Sequence, residues 1–131
     1  MIGLDTNVIV RYIMQDDRKQ SKLATALMER LTESEPGFVS LVSVTELVWV
    51  LESAYALARH QVAEVLTSLI AIDVLKIERL AVVAAAVRNF KDGTADFADC
   101  LIERSSANAG CERTVTFDRS AARTANMTLI Q

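Results

Sequence analysis

The sequence is poor in the residues that most nucleophilic and zinc-dependent sites require. It has one His, His60, and two Cys, Cys100 and Cys111, which do not form a C-x-x-C pair. These are too few ligands for a zinc site built from thiolates and imidazoles. A mechanism of the Ser-His-Asp or Cys-His type would depend on His60, which lies in a polar stretch. Cys100 lies in an apolar helical pattern, where a cysteine is more often buried than reactive.

Proline, glycine and aromatic residues are scarce as well. The chain has one Pro, four Gly and 5% aromatic residues, whereas 51% of its residues are hydrophobic. This composition argues against disorder, and a length of 131 residues fits one domain. No run approaches the roughly 18 uncharged apolar residues of a membrane span, and no basic leader precedes Asp5. We therefore expect a cytoplasmic protein with no membrane partner.

Short apolar runs alternate with longer segments of helical periodicity. Helices are predicted over residues 6–14, 80–90 and 96–108, the last with Ala98, Leu101 and Ile102 facing inward. A further helix, capped by Asp16 or Asp17, would place Leu23, Leu27 and Leu31 on one face, and another would open at Ser43. Strands are predicted over residues 2–4, 38–41, 74–75, 113–117 and 127–130. Strands separated by helices indicate parallel pairing, so we predict an α/β fold with a short parallel sheet flanked by helices.

Acidic residues fall where such a fold would gather them. Asp5 ends the first predicted strand and Asp118 ends a late one, while Glu46 follows the second strand. Asp96 and Asp99 lie three residues apart at the start of a helix, which places both on one helix face. The carboxyl ends of parallel strands and the first turns of the following helices share one rim of a sheet. Four separated segments are therefore predicted to bring carboxylates together.

A cluster of carboxylates without neighbouring bases predicts a site for a divalent cation. The acids would repel one another, and some would take up protons unless a cation joined them. Mg²⁺ and Mn²⁺ prefer all-oxygen ligands, and such ions activate water and stabilise charge on a phosphoryl group. The net charge of −3 does not oppose a nucleic-acid substrate, because the five clustered acids leave 12 acidic against 14 basic residues elsewhere.

Simpler structural roles are open for most of these acids. The segment 43–46 matches an S-x-x-E capping box, so Glu46 could cap a helix, and Asp96 and Asp118 could be N-caps. Asp5 is harder to explain in this way, because a carboxylate directly after a buried strand is costly. The remaining helical acids are interpreted as solvated surface residues: Glu29, Glu33, Glu52, Glu64 and Glu103.

Four short motifs carry a resemblance to a known family. Asp5-Thr6-Asn7, Ser43-Val44-Thr45-Glu46, the segment from Ala95 to Ile102, and Thr116-Phe117-Asp118 resemble, in order and spacing, the motifs of PIN-domain nucleases. In its compact length and in the Asp-Phe-Ala-Asp sequence of residues 96–99, the chain is most similar to VapC-type toxins of toxin–antitoxin pairs. The resemblance covers nearly the whole chain and implies one PIN-like nuclease domain of three layers over residues 1–131.

The resemblance also implies an activity and its residues. Such proteins cleave RNA with Mg²⁺ or Mn²⁺, and the metal ligands would be Asp5, Glu46, Asp99 and Asp118, with Asp96 as an accessory ligand. Asn7 and Thr116 would orient carboxylates or water. The expected partners are an RNA substrate, a cognate antitoxin protein and a second copy in a homodimer. The third motif has Cys100 where many relatives have Ala, which a core should tolerate.

Three other functions fit the sequence less well than RNA cleavage does. In a binding module the fold would persist while the carboxylates had lost catalysis, and the complete acid set argues against that. A phosphotransferase of the haloacid dehalogenase type needs a second Asp two residues after Asp5, where this chain has Asn7, and no Walker P-loop is present. A DNA flap nuclease would need additional DNA-binding elements for which the chain is too short.

Overall fold

A computed structural model describes all residues, 1–131, and divides the chain into two compact units, Met1–Glu78 and Arg79–Gln131. Seven helices and five short strands make up the chain. The α/β class and the parallel pairing of the strands are confirmed. That residues 1–131 act as one domain stays a prediction. None of the helices combines the length and hydropathy that a membrane crossing requires.

The first unit is built on a parallel sheet of three strands in the order β1-β2-β3, where Gly37 pairs with Ile2 and Leu75. Val39, Leu47 and Leu51 are fully buried in its core. Gly37 is enclosed by leucine side chains, because a Cβ there would lie 2.9 Å from Leu31 Cδ1 and from Leu75 Cδ2. The elements of this unit are β1 Ile2–Gly3, α1 Thr6–Met14, α2 Arg18–Arg30, β2 Gly37–Val39, α3 Leu41–Ser53, α4 Arg59–Ile70 and β3 Leu75–Ile77.

The second unit pairs two helices and adds a parallel pair of strands, β4 and β5, in which Val115 pairs with Thr128. Phe90 and Phe97 are buried and meet edge to face, with ring centroids 5.8 Å apart. This geometry is favourable for two aromatic quadrupoles. The elements are α5 Leu80–Asp92, α6 Phe97–Asn108, β4 Val115–Thr116, α7 Arg119–Thr124 and β5 Thr128–Leu129.

Two predictions about the first unit are wrong. Helix α3 begins at Leu41, not at Ser43, because Ser40 is its N-cap and its hydroxyl oxygen accepts a hydrogen bond from the Ser43 N–H at 3.1 Å. The second strand therefore ends at Val39. The leucine face predicted for α2 is not its buried face, because Leu23 is 62% exposed. The buried positions of that helix are Ser21, Ala24 and Met28.

The second unit also departs from its predicted burial pattern. Ala98 and Ile102, which were expected to point inward, are exposed, whereas Phe97 and Leu101 are buried. Phe117 lies beyond the end of β4 and is 81% exposed. The prediction that Cys100 is a core residue is confirmed. Hydrophobicity alone did not fix the rotation of α6, because small and large apolar residues occur on both of its faces.

Candidate active site

Asp5 links the first strand to the first helix. It is the N-cap of α1, where its Oδ1 accepts a hydrogen bond from the Thr6 N–H at 2.8 Å. Its carbonyl oxygen accepts bonds from the Val8 and Ile9 N–H groups. The sequence made a structural role harder to assign to Asp5 than to the other acids, and the cap supplies one. The side chain is nevertheless exposed, and the capping bond uses only one of its two oxygens.

Glu46 has no capping role. With Ser40 as the N-cap, Glu46 is the sixth residue of α3, too far along the helix to reach back to the cap. The capping-box interpretation of residues 43–46 is therefore wrong, because Ser43 takes the third helical position itself. The Glu46 side chain is exposed and makes no hydrogen bond or ion pair with another residue. The structure thus offers no local structural explanation for this carboxylate.

Asp5, Asn7 and Glu46 line one cleft of about 740 Å³ in the first unit. The sequence predicted that these side chains would meet, since Asp5 and Asn7 follow β1 and Glu46 follows β2. The parallel pairing of β1 with β2 brings the two segments side by side. Two of the predicted acids and one predicted orienting residue are therefore gathered in a single open, solvent-accessible space.

The same cleft contains a polar network that the sequence analysis missed. Arg11 donates from Nη1 to Asp16 Oδ1 at 3.1 Å and to the Tyr55 hydroxyl oxygen at 3.3 Å. Tyr55 in turn donates to Asp16 Oδ2 at 2.7 Å, and this bond is the main reason that the pKa of Asp16 is lowered. The available signal was the i, i+4 spacing of Asn7 and Arg11, which places both on one helix face.

In the second unit, Asp96 and Asp118 are N-caps, as the simpler interpretation proposed. Asp96 Oδ1 accepts from the Asp99 N–H at 2.8 Å, and Asp118 Oδ1 accepts from the N–H groups of Ser120 at 2.8 Å and Ala121 at 3.2 Å. Thr116 Oγ1 accepts from the Asp118 N–H at 3.0 Å, so Thr116 holds the backbone that carries this acid. As at Asp5, the capping bonds end on one oxygen of each carboxylate.

Asp99 lies within the electrostatic field of the other two acids of this unit. Partial burial raises the pKa of Asp99, and the negative charges of Asp96 and Asp118 raise it further. The structure therefore places Asp96 and Asp118 close enough to Asp99 to oppose its ionisation. A nearby cation would relieve this repulsion and favour the ionised form of Asp99.

The donor chemistry of these acids fits Mg²⁺ or Mn²⁺, which prefer oxygen ligands. Within neither unit, however, do three or more His, Cys, Asp or Glu side chains lie close enough to one another to hold a metal ion. The chemistry of the residues thus agrees with a divalent cation, although the side chains within each unit are not gathered closely enough to hold one.

One acid that was interpreted as a solvated surface residue is buried. Glu103 is only 6% exposed, and its two carboxylate oxygens accept hydrogen bonds from Nε and Nη2 of Arg104, each at 2.7 Å. A bidentate arginine offsets the cost of burying a carboxylate. The other acids of that group are exposed as predicted: Glu29, Glu33, Glu52 and Glu64.

Comparison with known proteins identifies the family to which the fold described above belongs. A family model for the PIN domain matches residues 2–127, which is nearly the whole chain. The chain therefore belongs to the PIN domain family. It is also similar to a VapC ribonuclease of Aquifex aeolicus (strain VF5), with 24% identity over 116 residues that cover 88% of this chain and 86% of the relative.

Proposed function

We propose that this PIN-domain protein is a divalent-metal-dependent endoribonuclease. The observation that carries the proposal is the placement of the family's acidic motifs. Asp5 and Glu46 share an open cleft, and the pKa of Asp99 is raised by its burial and by neighbouring carboxylates. The similarity to a VapC ribonuclease supports RNA as the substrate. The reaction is the hydrolysis of a phosphodiester, in which water adds to phosphorus and one P–O bond breaks.

In this proposal the carboxylates share the task of binding the cation and orienting water. Asp5, Glu46, Asp99 and Asp118 would hold the cation, with Asp96 as an accessory ligand. A bound Mg²⁺ or Mn²⁺ supplies Lewis acidity toward the phosphoryl oxygens. Asn7 orients polar groups in the cleft beside Asp5, and Thr116 fixes Asp118 through its backbone. His60 and Cys111 are exposed and lie outside the four acid motifs, so the proposal assigns water rather than a side chain as the nucleophile.

The proposal extends to the cellular setting. A VapC-like ribonuclease would be the toxin of a type II toxin–antitoxin pair, with a cognate antitoxin protein as its partner. We further propose that it acts in the cytoplasm as a homodimer. Copurification of the chain with the product of a neighbouring gene, followed by mass measurement of the isolated complex, tests both assembly statements.

The decisive experiment is cleavage of total cellular RNA by purified, partner-free protein in Mg²⁺ or Mn²⁺, then in EDTA, with Asp5→Asn beside the wild type. Asn retains an oxygen for the cap on Thr6, so the variant should stay folded while losing the negative charge. Glu64→Gln, an exposed change on α4, is the matched control. Discrete metal-dependent fragments that disappear only in Asp5→Asn support the proposal, and equal cleavage by that variant contradicts it.

A specific observation favours one alternative function, that of a catalytically inactive RNA- or partner-binding module. Asp5, Asp96 and Asp118 all cap helices, so their presence has an explanation without catalysis. Thermal unfolding with and without Mn²⁺ separates the two functions, because an inactive site should show no metal-linked stabilisation. A stable protein that binds RNA and has the same melting temperature with and without Mn²⁺ would favour the binding module.

A further inference from the structure

We propose that Arg11 forms a phosphate-binding subsite for the RNA backbone in the cleft that also contains Asp5 and Glu46. The inference rests on the proposed function, since it concerns the same substrate. Nothing in the family motifs assigns this residue, which lies in α1 four residues beyond Asn7. Arg11 is held by three neighbouring side chains, carries the basic charge of the cleft and leaves two N–H donors available.

Three neighbouring side chains hold the Arg11 guanidinium. Its Nε donates to Gln20 Oε1 at 2.8 Å, and its Nη1 donates to Asp16 Oδ1 at 3.1 Å and to the Tyr55 oxygen at 3.3 Å. These partners come from α2, from the α1–α2 connection and from the turn after α3. A planar guanidinium fixed on two of its three nitrogens has little freedom left, so a ligand would not have to order it.

The network also keeps the charges of this cluster constant. The hydrogen bond from Tyr55 lowers the pKa of Asp16, and the bond and the charge of Arg11 lower it further. Asp16 therefore remains ionised at neutral pH and continues to hold Arg11 by an ion pair. The same bond to Asp16 raises the pKa of Tyr55, which stays a neutral donor.

Arg11 is the only basic residue among those that line the cleft, beside the three acids Asp5, Asp16 and Glu46. A polyanion that approaches these acids meets repulsion, and Arg11 supplies the one opposing charge. None of its protein hydrogen bonds uses Nη2, so the two N–H groups of that nitrogen are available to a ligand. Each of these N–H groups can donate a charge-assisted hydrogen bond to a phosphate oxygen.

Stability alone is a weak reason for this network. The side chains of Arg11 and Asp16 are 32% and 41% exposed, and pairs this exposed contribute about 0–1 kcal/mol. Ordering the long side chains of Arg11 and Gln20 costs conformational entropy of a similar size. A fixed guanidinium with two available donors is better explained by a ligand than by its small effect on folding.

The test is RNA binding in EDTA, where cleavage is suppressed, measured by the anisotropy of a fluorescein-labelled 12-nucleotide single-stranded RNA of mixed sequence. We expect Arg11→Gln to weaken binding about 5- to 20-fold, as for loss of a charged hydrogen bond that is partly exposed. The slope of log affinity against log salt should fall by about 0.7, the value for one phosphate contact with a single strand. Arg11→Lys should restore the slope but not the full affinity, since the flexible lysine ammonium is not held in place as the planar guanidinium is.

Arg18→Gln is the matched control, because it removes the same charge from an exposed position outside the cleft lining. Equal losses in Arg11→Gln and Arg18→Gln, or an unchanged affinity and salt slope in Arg11→Gln, would overturn the subsite. If Arg11→Gln does not fold, the side-chain N–H signals of Arg11 in the wild type decide. These signals, assigned by their loss in Arg11→Lys, must shift when the RNA is added.

A separate cleavage assay on total RNA distinguishes failure of the subsite from failure of the proposed function. Wild-type protein that cleaves RNA, together with an Arg11→Gln variant that binds like the wild type, overturns the subsite alone. Wild-type protein that binds the labelled RNA through Arg11 but cleaves nothing supports the subsite and contradicts the ribonuclease. Wild-type protein that neither binds nor cleaves RNA overturns both.

Discussion

Asp118 offers the clearest separation of a structural role from a chemical one. Its Oδ1 accepts two backbone N–H groups at the start of α7, and its negative charge contributes to the raised pKa of Asp99. Asn can make the same capping bonds without the charge, whereas Ala can make none. The variants Asp118→Asn and Asp118→Ala therefore remove the charge alone, or the charge and the cap together.

The two variants should differ in stability and agree in activity. Loss of an N-cap costs about 0.5–2 kcal/mol, which for a chain of this size lowers the melting temperature by about 2–8 °C in Asp118→Ala. Asp118→Asn should melt near the wild type, because it loses the attraction of a charge to the helix N-terminus but also ends the repulsion with Asp99. Both variants should lose RNA cleavage by about 100-fold or more, the effect of several kcal/mol of lost charge stabilisation.

Differential scanning calorimetry in EDTA and initial rates of RNA cleavage in Mn²⁺ measure the two effects. Arg119→Gln, the exposed first residue of α7, is the control for a change of charge at the same helix end. Asp118→Asn that cleaves RNA at the wild-type rate would show that Asp118 is only a cap. Asp118→Asn that is as unstable as Asp118→Ala would show that the charge, and not the hydrogen bonds, holds the start of α7.

The remaining predictions concern metal, pH and packing. Mn²⁺ at about 100 times its dissociation constant should stabilise the wild type by about 2.7 kcal/mol, EDTA should reverse this, and Asp99→Asn should show little of it in a thermal shift assay. In the folded state the pKa of Asp99 lies above its ordinary value of 3.8, so ionised Asp99 destabilises the folded protein in EDTA. The folded protein binds a proton at Asp99 more readily than the unfolded chain does. This destabilisation therefore disappears as the pH falls through the raised pKa. The melting temperature of Asp99→Asn should therefore exceed that of the wild type most at neutral pH, and a constant difference down to pH 4 would contradict the assigned cause. An NMR titration of Asp99 should show a larger fall of its pKa in Asp96→Asn than in Asp118→Asn, since the Asp96 charge is the stronger of the two. Gly37→Ala should cost about 1–3 kcal/mol in denaturant unfolding, because its Cβ would press on three buried leucine side chains, whereas Gly3→Ala, where no atom lies within 4 Å, should not.

Much of the fold follows from local patterns in the sequence. The bounds of α1, Thr6–Met14, match the prediction, because a capping acid precedes the helix and its apolar residues follow a helical period. The alternation of strands with helices predicted parallel pairing, and both sets of strands are parallel. The same alternation placed Asp5 and Glu46 on neighbouring segments, and they line one cleft.

Local patterns failed where two positions had similar chemistry. Ser40 and Ser43 can each cap a helix, and the choice of Ser40 follows from the length of β2, which ends at Val39 where its pairing with Ile77 ends. In α2, packing against α1 selects the face with the small residues Ser21 and Ala24, although the larger leucines looked more apolar. These choices depend on what surrounds the helix, which hydrophobic periodicity does not contain.

The sequence by itself determined the class of fold, the order of its elements and the acids that end its strands, because strand alternation, helical period and caps act over a few residues. Only the tertiary structure decided which side chains from distant segments contact one another and which acid has a shifted pKa. The hydrogen bond that Tyr55 accepts from Arg11 and the one that it donates to Asp16 connect residues 44 and 39 positions apart. The raised pKa of Asp99 depends in part on Asp118, which lies beyond the end of α6, the helix that contains Asp99. Such contacts arise from packing between distant segments, and no local pattern specifies them.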